Sequence, residues 1–479
     1  MTNPDALSTR FPRPEQNAVM LGLRPVQIAL LLTAVGAVTL SFVIQMSAIA
    51  RLGGLAVAPV CLIVAFGRAE ELPVYRWLTL RGIHAWRSVR GQQKYRARVA
   101  EPRRHGRLQL PGKNGTMRII TSASGLGVVH DPRRRRLVAV ARIEGPAHLL
   151  QNADEQDRRV AAYGRLIAGL CQGNRIARAQ ILERTLPDPA DELGQWAQKR
   201  KLDPRTPAGA IYTDLLAQAA PTAARHETLF SFAVNLDAVS RDVRKNGGGL
   251  TGAAAVLESE ARAFQTSLAA AGVAGAWLNA GELAFGLRTA FDPVATRTIP
   301  DPRGLDAVDA GPLAVDASWD QLRTDSSLHR VYVVTEWPRI RATPSFLSPL
   351  LLKPGIRRTF TIVLQPIPMA KALRDARRHQ VERVSDRATR SRIGQLETEA
   401  DRQLDADVAQ RERDLAAGHG DVRWLGLLVV SADSEDALDD ACMEIEIAAT
   451  QALLDLRRLV GQQLEGFIAA ALPFGVGLG

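Results

Sequence analysis

PVQIALLLTAVGAVTLSFVIQMSAIARLGGLAVAPVCLIVAFG, residues 25–67, is the stretch on which the reading of this chain turns. It is 43 residues long and carries one charge, Arg51. One bilayer span needs about 20 apolar residues and two need about 40, so the length predicts a helical hairpin. Its turn is expected near Gln45–Met46–Ser47, the most polar place. Pro59 would interrupt the second arm, which membrane helices tolerate. A cleaved signal peptide is disfavoured, because the apolar core is about twice the usual 7–15 residues. One tilted span followed by a re-entrant segment stays open as an alternative.

The flanks set the expected orientation. Residues 1–24 carry three bases, Arg51 stands alone at the turn, and residues 68–107 carry eleven bases against three acids. Positive charge stays on the cytoplasmic side, so both ends are expected there. The expectation is a multi-pass protein of a bacterial cytoplasmic membrane, with most of the chain cytoplasmic. Pro73 could open a helix reaching about Val99, with tryptophans among the bases. Arg68, Arg76, Arg81, Arg87, Arg90, Lys94, Arg96 and Arg98 are the candidates for contact with anionic lipids. A DNA contact through the same bases is the sharper alternative.

Composition narrows the rest. The 61 Lys+Arg exceed the 50 Asp+Glu by eleven, and hydrophobic residues make up 46%, which excludes a disordered chain. Three dispersed cysteines support no disulfide framework. No G-x-x-x-x-G-K-[ST], HExxH or G-x-S-x-G occurs, and the eight histidines are scattered singly. The residues therefore predict no enzyme, no cofactor and no metal. The acidic run Asp433–Asp440 reads as the start of a helix capped by Ser434, with Arg457 and Arg458 in its later turns.

Expected segments are a tail (1–24), the hairpin (25–67), a basic juxtamembrane stretch (68–106), a first α/β lobe (107–292), a Pro- and Asp-rich linker (293–318) and a second α/β lobe (319–479). In the second lobe, 371–417 reads as a long charged helix, expected either as a projecting helical hairpin bent near Gly394 or Asp405 or as a coiled-coil contact, with a homo-oligomer among the expected partners. Arg133, Arg134, Arg135 and Arg136 crowd a hairpin tip and are candidates for an anion, nucleic-acid or partner contact. Residues 466–479 carry no charge, so Phe467, Leu472, Pro473 and Phe474 are candidates either for packing on their own lobe or for docking a partner. The fold class is thus α+β: a two-helix transmembrane hairpin, then a two-lobed cytoplasmic α/β region.

A resemblance extends this. His329–Pro338, Phe346–Leu350, Arg358–Pro366, Trp424–Ser431 and Gly461–Gln463 with Ala471–Gly475 together resemble the amino-terminal domain of the large conjugative ATPase of type IV secretion systems. Arg10–Glu15 plus the hairpin is similar to the small PrgI-like membrane subunits of those systems. The resemblance implies a non-catalytic inner-membrane scaffold that recruits the transfer ATPase and other secretion-system membrane subunits. The chain has no Walker A motif, which removes ATPase activity from that inference. The rival resemblance is to the EccE-type inner-membrane subunit of type VII secretion, which shares the gross layout; the Leu472–Gly475 ending speaks against it.

Overall fold

The computed structural model describes residues 25–43, 48–97, 106–145, 151–187, 200, 205–219, 224–299, 301–340, 342–392 and 399–478. The amino-terminal tail, the turn at 45–47, Arg98 and the bend expected near Gly394 lie outside them.

The apolar stretch forms two helices, α1 (Pro25–Val43) and α2 (Ala48–Phe66). They pack on each other, and Gln27 Nε2 donates to the Ala65 carbonyl at 3.0 Å. The hairpin is therefore present, but its expected role needs correction. Among the described residues no helix is long and apolar enough to cross a membrane. Each helix has 19 residues, and α2 carries Pro59 in its interior. At 1.5 Å per residue such a helix is about 28 Å long, at the short limit for a hydrocarbon core of about 30 Å. The transmembrane hairpin and the multi-pass inner-membrane placement built on it are both withdrawn.

One antiparallel sheet dominates the rest of the chain. The strands β1 (Arg68–Ala69) and β2 (Leu72–Pro73) form a separate small pair ahead of α3 (Val74–Val89). In chain order come β3 (Lys94–Arg96), β4 (Arg118–Thr121), β5 (Gly127–Asp131), β6 (Arg136–Glu144), α4 (Ala153–Leu170), β7 (Ile176–Pro187), α5 (Pro207–Ala219), β8 (Ala224–Asn235), α6 (Ser240–Lys245), α7 (Gly249–Ala270), β9 (Ala274–Trp277) and α8 (Ala280–Phe291). A short α9 (Ala295–Thr298) leads into β10 (Ala314–Ala317), β11 (Leu322–Arg323), β12 (Leu328–Glu336), α10 (Ser348–Leu351), β13 (Arg357–Ile367), α11 (Met369–Arg392), α12 (Glu399–Ala416), β14 (Asp421–Ala432), α13 (Glu435–Gln451), β15 (Asp455–Arg458) and α14 (Gln463–Ala471).

Among the described residues thirteen strands join this sheet, in the order β3-β10-β11-β12-β14-β13-β7-β8-β6-β5-β4, with β15 beside β12 and β9 beside β6. From β10 onward the order is a palindrome. β10, β11, β12, β14 and β13 on one side answer β4, β5, β6, β8 and β7 on the other, and β15 answers β9. The chain is a tandem pair of one β-β-β-α-β-α-β-α-β-α unit, related by a pseudo-twofold axis normal to the sheet between β7 and β13. The central ladder pairs Ala179–Arg184 with Leu364–Thr359, so the two lobes share one sheet.

Burial supports the equivalence at side-chain level. In α7, Leu257, Ala261, Phe264 and Leu268 face the sheet; 181 positions later Leu438, Cys442, Ile445 and Ala449 do the same in α13. Both helices end on a left-handed residue, Gly272 (φ 69°) and Leu453 (φ 59°), before their short strands. The helices α7 and α13 cover one face, and α8 and α14 the other, where one core runs through both halves. Local chemistry fixes the ends. Asn279 and Glu282 form a reciprocal capping box on α8, and Ser434 Oγ accepts from Ala437 N at 3.3 Å on α13. That capping was expected, but Arg457 and Arg458 sit on β15, because α13 stops at Gln451. Within 293–318, Ala307, Val308, Ala310 and Val315 are buried.

Candidate interaction surfaces

The basic stretch folds back onto the second half. Trp77 and His84 of α3 meet Trp319 edge-on, with centroids 6.3 and 5.2 Å apart. The Arg81 guanidinium lies 4.3 Å from the Trp319 ring centroid, a cation–π contact, and the Trp319 indole donates to Glu70 at 3.1 Å. Arg87 pairs with Glu465 at the start of α14 at 2.5 Å. Lys94 reaches Asp316 at 3.6 Å, and Arg96 lies in β3 opposite Ala314. Arg68 sits in β1. Of the eight predicted lipid-facing bases, Arg81, Arg87 and Lys94 thus have partners within the protein. Arg76 is exposed on α3, and Arg90 stacks over Trp86 at 4.2 Å. The opposite side of α3 shows Leu78, Ile83, Trp86 and Val89 to solvent.

The arginine tip is divided among several tasks. Asp131 accepts from the backbone N–H of Arg133 and Arg134, both at 3.1 Å, and pairs with the Arg134 guanidinium at 2.7 Å. Arg135 pairs with Asp237 at 2.7 Å. Arg136 opens β6 half-buried; burial and the neighbouring Arg178 both lower its pKa.

The uncharged stretch is interior from 466 to 476. Phe467, Leu472, Pro473 and Phe474 are all buried. Gln180 on β7 ties the stretch down: its Nε2 donates to the carbonyls of Ala469 and Leu472 at 3.2 and 3.1 Å, and its Oε1 accepts from Gly475 N at 2.8 Å.

Three strongly perturbed groups also lie in the core. Burial drives His329 down to about 3, so its ring is neutral between Thr324 Oγ1 and Ser431 Oγ, each 2.8 Å away. Burial alone would raise Glu227, but Arg184 and Arg142 outweigh it and hold it at about 2. Their guanidinium Nε atoms donate to it at 2.7 and 2.8 Å. Burial raises Cys171 to about 11, which keeps it a thiol. Among the described residues no group of three His, Cys, Asp or Glu side chains is placed to hold a metal ion.

Residues 222–334 match the family model of EccE, a putative type VII ESX secretion system translocon. The matched stretch starts at β8, passes through α7, β9 and α8, crosses between the halves and ends in β12. The similarity therefore covers elements of both units and the connection that joins them. It favours a secretion-system family of type VII over the type IV reading. No curated protein matches the chain.

The outer side of α13 was missed in the sequence, although the start of the helix was found. It carries Met443 and Ile447, 58% and 61% exposed, among acids. The signal lay in the acidic run together with two apolar residues four apart, off the stripe that packs on the sheet.

Proposed function

We propose that this chain is a non-catalytic subunit of a type VII-like secretion apparatus, working in contact with the membrane subunits of that machine. The observation that carries the reading is the EccE match over 222–334. It is supported by where the perturbed groups lie: His329 and Glu227 are packed and hydrogen-bonded, and serve the fold. ATPase recruitment through the second lobe and its long charged helix is what the type IV resemblance implied; the EccE match does not carry it, and residues 466–476, one candidate docking stretch, are buried in their own core, so the proposal does not use it.

The test is affinity purification of the tagged full chain from its native host in mild detergent, together with a secretion assay on a deletion strain. Type VII membrane subunits should copurify, and deletion should abolish export of that system's substrates. Normal export with no secretion subunit in the eluate would overturn the proposal.

A further inference from the structure

The pseudo-twofold axis shows which surface of α13 is out of place. At the position of Met443 its counterpart α7 has Arg262, and at that of Ile447 it has Thr266, an ordinary solvated helix face. On α13 the same face presents two apolar side chains. They are rimmed by Asp436 and Asp440, with Glu444 beyond them paired to Lys353 at 3.0 Å, and the helix itself carries no base. An apolar centre with a charged rim is the anatomy of a contact surface.

The same chain holds the complementary surface. The outer side of α3 places Leu78, Val89 and Trp86 along one stripe, with Val89 87% and Trp86 59% exposed, beside the exposed bases Arg76 and Arg90. Between Leu72 and Ala100 the chain has no acid. The two surfaces cannot meet within one molecule: α3 is anchored through Arg87 to α14, on the sheet face opposite α13.

We infer that α3 of one copy seats on α13 of a second copy, with Trp86 and Val89 against Met443 and Ile447, and with Arg76 and Arg90 facing Asp436 and Asp440. Two different patches are used, so the contact is heterologous and propagates head to tail into a ring or a filament. Charge gives it direction and discourages pairing of two α3 faces or two α13 faces.

The test is disulfide trapping with the full chain in a Cys61→Ser background; Cys171 and Cys442 are buried and stay reduced. Protein carrying Val89→Cys is mixed with protein carrying Met443→Cys under mild oxidation. The mixture should give a species of twice the chain mass that neither protein gives alone. Asp436→Lys with Asp440→Lys should cut its yield at least about tenfold, and adding Arg76→Glu with Arg90→Glu on the other copy should restore it. Absence of the mixed species, or equal self-pairing of the Val89→Cys protein, would overturn the inference. So would a residue-89 fluorophore that shifts on phosphatidylglycerol vesicles and ignores a second copy, since α3 would then face lipid.

Discussion

The two halves of the sheet are built alike and filled differently. Under α8, the cross-strand pair Arg184–Glu227 is a buried ion pair, with Arg184 also donating to the Gly286 carbonyl at 2.8 Å. At the equivalent pair of the second half stand Val363 and Leu425. On β12, His329 occupies the place that Val138 has on β6. One backbone plan thus accepts either charge or hydrocarbon at the same buried site, provided each polar group finds its partners. Divergence inside the core was compensated locally. Divergence on the outer helix face, Arg262 and Thr266 against Met443 and Ile447, was not, and that difference points to a contact.

Breaking the ion pair should have the largest effect. Glu227→Ala leaves Arg184 buried without its carboxylate and should cost about 3–5 kcal/mol in denaturant unfolding. Importing the second half's solution, Arg184→Val with Glu227→Leu, should recover most of that loss. A cost under about 1 kcal/mol for the single change would show that Glu227 is not the buried partner of Arg184.

Acid should separate the halves next. The pKa of His329 is lowered from 6.5 to about 3, so the unfolded chain takes up its proton first. Stability is therefore full above 6.5 and falls as pH drops towards 3, by at most about 1.4 kcal/mol per unit. Glu227, lowered from 4.5 to about 2, adds its own loss only below 4.5. His329→Val should flatten the melting-temperature profile between pH 6.5 and 4.5 and leave the lower limb in place. An unchanged upper limb would remove His329 as its source.

The smallest effect should come from the turns after α7 and α13. Gly272 adopts its left-handed conformation freely, whereas Leu453 bears a side chain at φ 59°. Leu453→Gly should gain a few tenths to about 1 kcal/mol, and Gly272→Leu should lose about 1–2. Thermal melts of the two variants should shift in opposite directions.

Individual elements were legible in the sequence; their arrangement was not. The β-branched and aromatic runs of β6, β8 and β13 are local strand signals, and Ser434 marks the start of α13 as a local cap signal. The repeat was hidden because its two copies share only which face is buried: RLVAVARIE at 136–144 and LHRVYVVTE at 328–336 fill matching strands with little identity. Reading 293–318 as a linker followed from its Pro and Asp content, which does not reveal that Val308 and Val315 are buried. The bases after Arg68 were read as a lipid-facing set because charge counting cannot see Trp319 or Glu465, which lie hundreds of residues away in sequence. Apolar content at 25–67 marked the helical pair, but whether a helix crosses a bilayer also depends on its length.

The ladder between β7 and β13 is what makes two units one sheet. Native-state hydrogen exchange of the full chain measures it directly. The ladder amides within 179–184 and 359–364 should exchange only through global unfolding, as slowly as those in the middle of β8 and β14. Ladder amides that exchange through a low-energy opening, while β8 and β14 stay protected, would show two lobes that part at the axis and would contradict the single duplicated sheet.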